Sequence, residues 1–503
     1  MGPLVRNLSY AKNGAGWAFS FFTTEIRGLQ AAAYILAVSS LLSSILALLR
    51  DRVLAHLFGA GPELDIYYAA FRIPDLVFIG IGALVSAYML IPELARRDEA
   101  SQKKYIDTVI AGFSLLVIIV GSVAAFAAPA LLAKFFPTLT QSGELVMLTR
   151  ILLLQAVLLG FSNIAAAITQ FKHRYALYAT SPIVYNLGII VGALWLTPIY
   201  GLKGLVWGVV LGAALHLAIQ LPTAMRDGFF IRFPLLREPL AFFDTIKLSL
   251  PRALALSMNQ LAFFGLLTLA GALSAGSISV FIFAYNLQGV PLSVIGASYA
   301  TAAFPTLAYA FARGESELFL AQVGIAARQI LFWSLPVIAV MVVLRAHIVR
   351  TVLGSGAFDW TDTRLTAAAL ALFVISLAAQ GLTLLLIRAF YASGRTLGPF
   401  LVSFGTALLT IGLGMLFLGM VGNPSAGNFL EALLRVEGVP GSAVLMLALA
   451  YATSSIVGVL VLILYFETTF GSLLSETRRV WWQSLCAAIA AAIFSYLTLH
   501  AIG

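Results

Sequence analysis

The sequence predicts an all-α polytopic membrane protein, and two observations carry that prediction. Only 10% of the 503 residues are charged and 61% are hydrophobic, whereas soluble domains carry about 25% charged residues. The apolar residues also form long continuous runs instead of alternating along the chain. Because a backbone in hydrocarbon must pair its own amides, such runs predict transmembrane helices and not isolated strands.

About thirteen transmembrane helices are predicted, since a spanning helix needs about 20 apolar residues. The predicted spans are residues 31–49, 65–94, 106–131, 145–170, 180–199, 203–224, 245–272, 277–310, 322–344, 364–390, 397–420, 441–466 and 479–501.

The distribution of Lys and Arg predicts the orientation of these spans. Residues 96–104 and 226–247 are rich in cations, whereas residues 132–144 hold one and residues 273–276 hold none. The positive-inside rule therefore places the N-terminus in the cytoplasm. Two segments fit the rule less well: the stretch 50–75 and the loop with Arg345, Arg350 and Arg364.

The chain also resembles itself. Residues 58–100 align with residues 273–316 through an Ala-Gly turn, an aromatic segment, a mid-helix Pro and a second Pro at the far end. Similar composition alone produces some likeness between apolar helices, but matched Pro and Gly positions are harder to obtain by chance. Helices 1–6 and 7–12 are thus predicted to be two parallel six-helix repeats, with helix 13 as an addition.

Five segments follow from this repeat. They are a cytoplasmic N-terminal tail (1–30), an N-terminal six-helix lobe (31–226), a cytoplasmic linker (227–244), a C-terminal six-helix lobe (245–466) and an additional transmembrane helix (467–503).

Charge is concentrated in one stretch, RDRVLAHLFGAGPELDIYYAAFRIPD (50–75). Arg72 and Asp75 are three residues apart and share a helix face with Asp65, two turns earlier. One hypothesis places Asp65 at the membrane interface and lets Arg72 and Asp75 neutralise each other. The other hypothesis is that the stripe lines an aqueous cavity and binds a charged headgroup. Its candidate residues are Arg50, Asp51, Arg52, Asp65, Arg72 and Asp75, because the arginine fork suits phosphate.

The second repeat has amides where the first has charges. Asn286 and Gln288 lie in the corresponding stripe, and buried amides in bundles more often join helices than bind ligands. Arg252 and Arg388 are further candidates, although Arg388 serves equally well as a topology signal.

The sequence indicates no catalytic residue, metal site or cofactor. It lacks the spacing of a Walker loop, HExxH, CxxC or Ser-His-Asp motif, and its five His are scattered. The net charge of +9 is also spread along the chain, which is typical of contacts with lipid headgroups and not of nucleic-acid binding.

The charged stretch RDRVLAHLFGAGPELDIYYAAFRIPDL (50–76) resembles the pattern RDxxxAxxFGAGxxxDAFxxAFxxPNL of the MurJ (MviN) lipid II flippase family of the MOP superfamily. AYNLQGVPLSVIGASYATAAFPTLA (284–308) and RAFYASGRTLGPFLV (388–402) resemble two further family patterns. The resemblance implies two MATE-like lobes around a V-shaped cavity in a bacterial cytoplasmic (inner) membrane. It also implies that Arg50, Asp51 and Asp65 belong to that cavity, that Arg72 matches a usual Lys or Arg, and that Pro291 and Gly296 break a helix.

Several cations of the family pattern are missing. Ser44, Phe78, Ile79 and Asn286 stand where the family has arginines. Helix 13 also lacks the fourteenth helix that completes a groove for the lipid tail in the family. Either this chain binds its substrate with fewer cations, or its substrate differs.

The resulting hypothesis is a flippase for lipid II that works by alternating access, with a lipid-linked cell-wall precursor and membrane lipids as partners. The chain is expected to act as a monomer, and association with cell-wall synthesis proteins stays open. One alternative is another MOP exporter, for polysaccharide units or for drugs with a coupling cation. A membrane transferase would need catalytic groups on the loop 421–440, which looks more like a short amphipathic helix. A scaffold without transport is the last alternative.

Overall fold

The computed structural model describes residues 29–82, 85, 87–230, 238–239, 243, 258–421 and 424–502. All regular elements in these residues are helices, which confirms the predicted all-α class. Arg252 and most of the predicted linker lie outside the described residues.

The helices follow the order of the predicted spans. In the first half they are α1 (Leu29–Phe58), α2 (Pro62–Ala70), α3 (Arg72–Gly82), α4 (Ala87–Ala95), α5 (Glu99–Phe135), α6 (Glu144–Phe171), α7 (Tyr175–Val191), α8 (Thr197–Tyr200), α9 (Leu202–Ala218) and α10 (Leu221–Arg226). In the second half they are α11 (Met258–Ala270), α12 (Ser277–Pro291), α13 (Ser298–Ala312), α14 (Ser316–Val352), α15 (Trp360–Ile375), α16 (Leu377–Ala392), α17 (Leu397–Met420), α18 (Pro424–Leu434), α19 (Val444–Phe470) and α20 (Leu473–Ile502).

Nine helices in the described part of the chain are long and apolar enough to cross a membrane. The number rises to ten if α15 and α16, which meet at a bend of 44°, form one span. The chain is therefore a multi-pass membrane protein, and the count of thirteen spans stays a prediction.

The predicted second span, residues 65–94, consists of three helices, α2, α3 and α4. The first break follows from Pro74, whose ring would clash with the carbonyl of Ala70, four residues earlier and the last residue of α2. The first helix differs as well, because α1 continues to Phe58. Arg50, Asp51 and Arg52 consequently lie about two turns before the end of α1 and not at its end, as predicted.

The irregularity implied at Pro291 and Gly296 is a π-helix, Leu292–Ala297, between α12 and α13. Proline cannot donate the next backbone hydrogen bond, and a wider turn accommodates the missing bond. A second π-helix, Gly192–Leu196, separates α7 from α8.

Contacts divide the chain into two compact units. Among the described residues, unit 1 contains those within Met1–Val53, Ala70–Lys134 and Thr140–Leu254, and unit 2 contains those within Leu54–Ala69, Phe135–Leu139 and Ala255–Gly503. The end of α1 and α2 up to Ala69 thus belong to unit 2, although they come from the predicted first repeat. The predicted lobe boundaries themselves stay a prediction.

Small residues bring α7 and α9 of unit 1 close together. A Cβ atom placed on Gly208 would lie 2.3 Å from the Cα of Gly192, and one on Gly188 would lie 2.3 Å from the Cα of Gly212. Such spacing at every fourth residue lets helix backbones approach in a membrane. The contact holds α7 in place, and α7 carries part of the candidate site.

Candidate substrate site

The buried charge of unit 1 centres on Arg50 and Asp51 in α1. The Nε and Nη2 atoms of Arg50 donate to Oδ1 of Asp51 at 3.0 and 2.8 Å, and Nη1 donates to Oδ1 of Asn186 at 3.1 Å. Asp51 is 2% exposed, so its carboxylate depends on the guanidinium for compensation. Asn186 on α7 is oriented in turn by a hydrogen bond from its Nδ2 to the carbonyl of Pro182 at 3.0 Å.

A second pair lies on α3. Nη2 of Arg72 is 3.3 Å from Oδ2 of Asp75, one helical turn away, as the spacing predicts. The Arg72 side chain is 11% exposed and that of Asp75 is 34% exposed. This contact is longer than that of Arg50 with Asp51, and Asp75 is more exposed than Asp51.

Tyr185 and Asn186 on α7 lie near these charges, and the two pairs with these two residues are referred to as the cluster of unit 1. Asn186 bonds Arg50 directly, and the phenol of Tyr185 lies within electrostatic range of both Arg50 and Asp75. Neither residue was among the predicted site residues. The available signal was a polar pair inside the apolar run of the predicted span 180–199.

Three hydrogen-bonded polar side chains, Ser162, His216 and Gln220, lie next to Tyr185. Its ring meets the imidazole of His216 edge to face at 6.4 Å. Nδ1 of His216 is 2.7 Å from the hydroxyl of Ser162, which accepts a hydrogen bond from Nε2 of Gln220 at 2.9 Å. The Ser162–His216 contact joins α6 and α9 next to the ring of Tyr185.

Asp65 has a different role from the other acids of the stretch. It lies on α2 in unit 2 and is 3% exposed. Its carboxylate accepts the backbone N–H of Gly276 at 2.7 Å and of Ser279 at 2.8 Å, together with the Ser279 hydroxyl at 2.6 Å. It therefore caps the N-terminus of α12, where a negative charge is favourable.

The predicted stripe of Asp65, Arg72 and Asp75 on one helix is consequently divided. Phe71 interrupts the helix, so that Asp65 belongs to α2 of unit 2, and Arg72 and Asp75 belong to α3 of unit 1.

The remaining candidates are not all brought to the cluster of unit 1. Arg52 is exposed and points about 200° around α1 from Arg50. Arg388 on α16 donates to the carbonyl of Ala297 at 3.2 Å and to the hydroxyl of Thr301, which secures the end of the π-helix. Asn286 is half-buried on α12, and Arg252 lies outside the described residues.

Neutral groups occupy the interior of unit 2 beside Asn286. The amides of Gln288 and Gln380 exchange hydrogen bonds of 3.4 and 3.2 Å between α12 and α16, and the Tyr451 hydroxyl donates to Oε1 of Gln380 at 3.3 Å. The ring of Tyr285 is tilted against that of Phe263 at 4.7 Å and meets that of Tyr451 edge to face at 5.7 Å. Gln288 therefore joins helices, as expected of buried amides.

No group of three or more His, Cys, Asp or Glu residues that could hold a metal ion occurs in the described ranges. The arginines in the cluster of unit 1 suit an anionic oxygen ligand.

Comparison with known proteins identifies the family of this chain. The family model described as lipid II flippase MurJ matches residues 54–502. The "Lipid II flippase MurJ" of Burkholderia cenocepacia is 26% identical over 404 residues, covering 76% of this chain and 77% of that protein. The "Probable lipid II flippase MurJ" of Thermotoga maritima is 26% identical over 385 residues, covering 75% and 77%.

Two solved structures show the same fold. One, titled "Lipid II flippase MurJ, inward closed conformation", has a TM-score of 0.74 at 20% identity and covers 93% of this chain and 98% of its own. The other, an inward-facing multidrug resistance MATE family transporter of the MOP superfamily, has a TM-score of 0.66 at 16% identity and covers 89% and 99%. The family model spans almost the whole chain, and this protein therefore belongs to the lipid II flippase MurJ family.

Proposed function

We propose that this chain moves a polyprenyl-pyrophosphate-linked peptidoglycan precursor, lipid II, across the bacterial cytoplasmic membrane by alternating access. The observation that carries the proposal is the cluster of Arg50, Asp51, Arg72 and Asp75 around Tyr185 in unit 1. Charged side chains within spans are costly unless they face a cavity or a partner. The family membership supports the choice of substrate.

The arginines would act by exchanging partners. A planar guanidinium binds pyrophosphate oxygens through paired hydrogen bonds, and in the empty site the carboxylates keep it oriented and compensated. Nη2 of Arg72 lies 3.3 Å from Asp75, whereas Arg50 directs two donors at Asp51 at 3.0 and 2.8 Å. Arg72 would therefore change partner first, and Arg50 would hold the shape of the site.

The polyprenyl tail would stay in the bilayer while the sugar-pyrophosphate passes the polar cluster. No nucleotide-binding motif occurs in the sequence, so the driving force would come from substrate supply, an ion gradient or the membrane potential. In this proposal the chain is a transporter and not an enzyme, acts as a monomer and has its N-terminus in the cytoplasm. Outward movement of each negative charge gains about 2.3 kcal/mol per 100 mV when the interior is negative.

One observation favours a second candidate, a cation-coupled exporter of the MOP superfamily. Asp75 is a carboxylate in an apolar helix with a 34% exposed side chain, and such a group can carry a coupling proton. A drug-efflux measurement with and without a pH gradient separates this candidate from a lipid flippase.

The decisive experiment uses cells depleted of their own lipid II flippase. The wild-type chain is expected to restore growth and the externally accessible pool of lipid II. Arg72→Ala should reduce that pool at least tenfold, because it removes the arginine that is proposed to leave Asp75 and bind the pyrophosphate first. The matched control is Arg150→Ala, an exposed arginine of unit 1 that donates to the carbonyl of Ala125. Rescue by Arg72→Ala equal to that by the wild type would overturn the role of the cluster. Failure of the wild-type chain to restore growth would overturn the assignment of lipid II as the substrate.

A further inference from the structure

The short helix α18 of unit 2 has one apolar edge in contact with the protein and another that is uncovered. Leu430 and Leu434 are 8% and 9% exposed, whereas Phe429 and Leu433, one turn apart, are 68% and 61% exposed. A short helix with this division is typical of one that lies in the interfacial plane of a membrane.

Three arginines from three parts of unit 2 meet at the C-terminal end of α18. Arg345 on α14 donates to the carbonyl of Leu434 at 3.3 Å, and Arg364 on α15 donates to the carbonyl of Arg435 at 2.7 Å. Arg435 itself follows α18, and its side chain is exposed. These bonds explain where the last carbonyls of the helix find donors.

Capping the helix uses only a small part of the donors in this cluster. A guanidinium has five N–H donors, and Arg345 also donates to the carbonyl of Val342 at 3.0 Å. In the part of the chain that the structure describes, neither Arg345, Arg364 nor Arg435 forms an ion pair with a carboxylate. The neighbouring acid, Glu431, accepts from the hydroxyl of Ser442 at 2.5 Å.

Capping of α18 does not by itself explain why three arginines lie together at its C-terminal end. Arg345 and Arg435 are within electrostatic range of each other. Like charges repel, and an anion bound between them would offset that repulsion. Membrane topology does not supply the reason, because the loop with Arg345 and Arg364 departs from the positive-inside pattern of the sequence.

We propose that Arg345, Arg364 and Arg435 bind the phosphate of an anionic membrane phospholipid, with Phe429 and Leu433 of α18 against its acyl chains. A lipid matches both halves of the surface, since a free anion would make no use of the uncovered apolar edge. The site lies within unit 2 and is separate from the proposed substrate cluster of unit 1. It goes beyond the proposed function and does not require that function to be correct.

The test measures lipid binding to the purified full-length chain in neutral detergent, by native mass spectrometry with phosphatidylglycerol, phosphatidylcholine or inorganic phosphate. The wild type should bind phosphatidylglycerol more tightly than phosphatidylcholine. Arg435→Gln should weaken phosphatidylglycerol binding about fivefold, the effect of one cation at an anionic surface. Folding should be preserved, because the Arg435 side chain is exposed and Arg364 bonds its backbone carbonyl, which the substitution keeps. Phe429→Ser should weaken binding of both lipids.

The matched control is Arg313→Gln, which removes an exposed arginine of unit 2 that faces Glu315 at 3.8 Å. It should leave phosphatidylglycerol binding unchanged. Equal binding of the two lipids by the wild type, or unaltered binding by Arg435→Gln, overturns the site. Complete displacement of phosphatidylglycerol by millimolar inorganic phosphate overturns the assignment to a lipid. Since no transport is measured, a failure here is independent of the flippase proposal.

Discussion

The two units compensate their acidic side chains in different ways. In unit 1, Asp51 and Asp75 are paired with Arg50 and Arg72. In unit 2, Asp65 is held by backbone N–H groups at the start of α12, and Asp362 accepts the N–H of Ala60 at 3.0 Å. Where an arginine compensates an acid, an anionic ligand can bind that arginine in place of the acid. Where a helix N-terminus compensates the acid, no such cation is present.

The contrast extends to the polar groups of the spans. Gln288 and Gln380 connect helices in unit 2, and Gln288 lies in the stripe that corresponds to the charged one in the predicted repeat. Our proposal therefore places pyrophosphate binding at the arginines of unit 1, whereas Gln288 and Gln380 hold helices of unit 2 together. Four substitutions test this difference.

Arg50→Ala should have the largest effect. It leaves the carboxylate of Asp51, which is 2% exposed, without its cation, and breaking a buried pair costs about 3–5 kcal/mol of unfolding free energy. Chemical unfolding in detergent measures the loss. The double variant Arg50→Ala/Asp51→Ala should recover most of the stability but not growth in flippase-depleted cells. A single variant as stable as the wild type would show that Asp51 does not depend on Arg50.

Asp65→Asn should destabilise unit 2 by about 1.5–3 kcal/mol, the range for a hydrogen bond to a charged group. An amide has one acceptor oxygen, and its NH₂ group would face the donors that now meet the second carboxylate oxygen. Asp98→Asn is the control, because Asp98 is exposed and accepts from the Ser101 hydroxyl. Equal thermal unfolding of both variants would mean that burial adds nothing to the Asp65 cap.

Gly208→Ala should cost about 1–3 kcal/mol, the usual range for overpacking. The new methyl group would lie 2.3 Å from the Cα of Gly192, so α7 must move, and Asn186 with it. Gly121→Ala, at a helix position with nothing within 4 Å, should be neutral or slightly stabilising. If Gly208→Ala lowers stability but leaves flipping intact, the position of Asn186 is not critical.

Gln288→Leu should have the smallest effect, about 0.6 kcal/mol, the average of interhelical hydrogen bonds in membranes. Replacing Gln380 by Leu as well should restore part of the loss, since no amide is then left without its partner. Both variants should support growth. Loss of growth with normal stability would move substrate binding into unit 2 and remove the contrast between the units.

Much of the fold was predictable from local composition. The helices and their order follow from runs of apolar residues, and the stretch 50–75 is distinguished by its charged residues. The break before Arg72 follows from Pro74. The family was recognisable from the FGAG segment and its neighbours. The face shared by Arg72 and Asp75 follows from a spacing of three residues.

The partners of the polar groups were decided by tertiary structure. Arg50 bonds Asn186, 136 residues away, and Asp65 bonds Ser279, 214 residues away. No periodicity links such positions, so the sequence alone grouped Asp65 with Arg72 and left out Tyr185. The physical reason is that membrane insertion sums the transfer free energies of neighbouring residues along each span. By contrast, the compensation of a buried charge depends on distances across the folded unit.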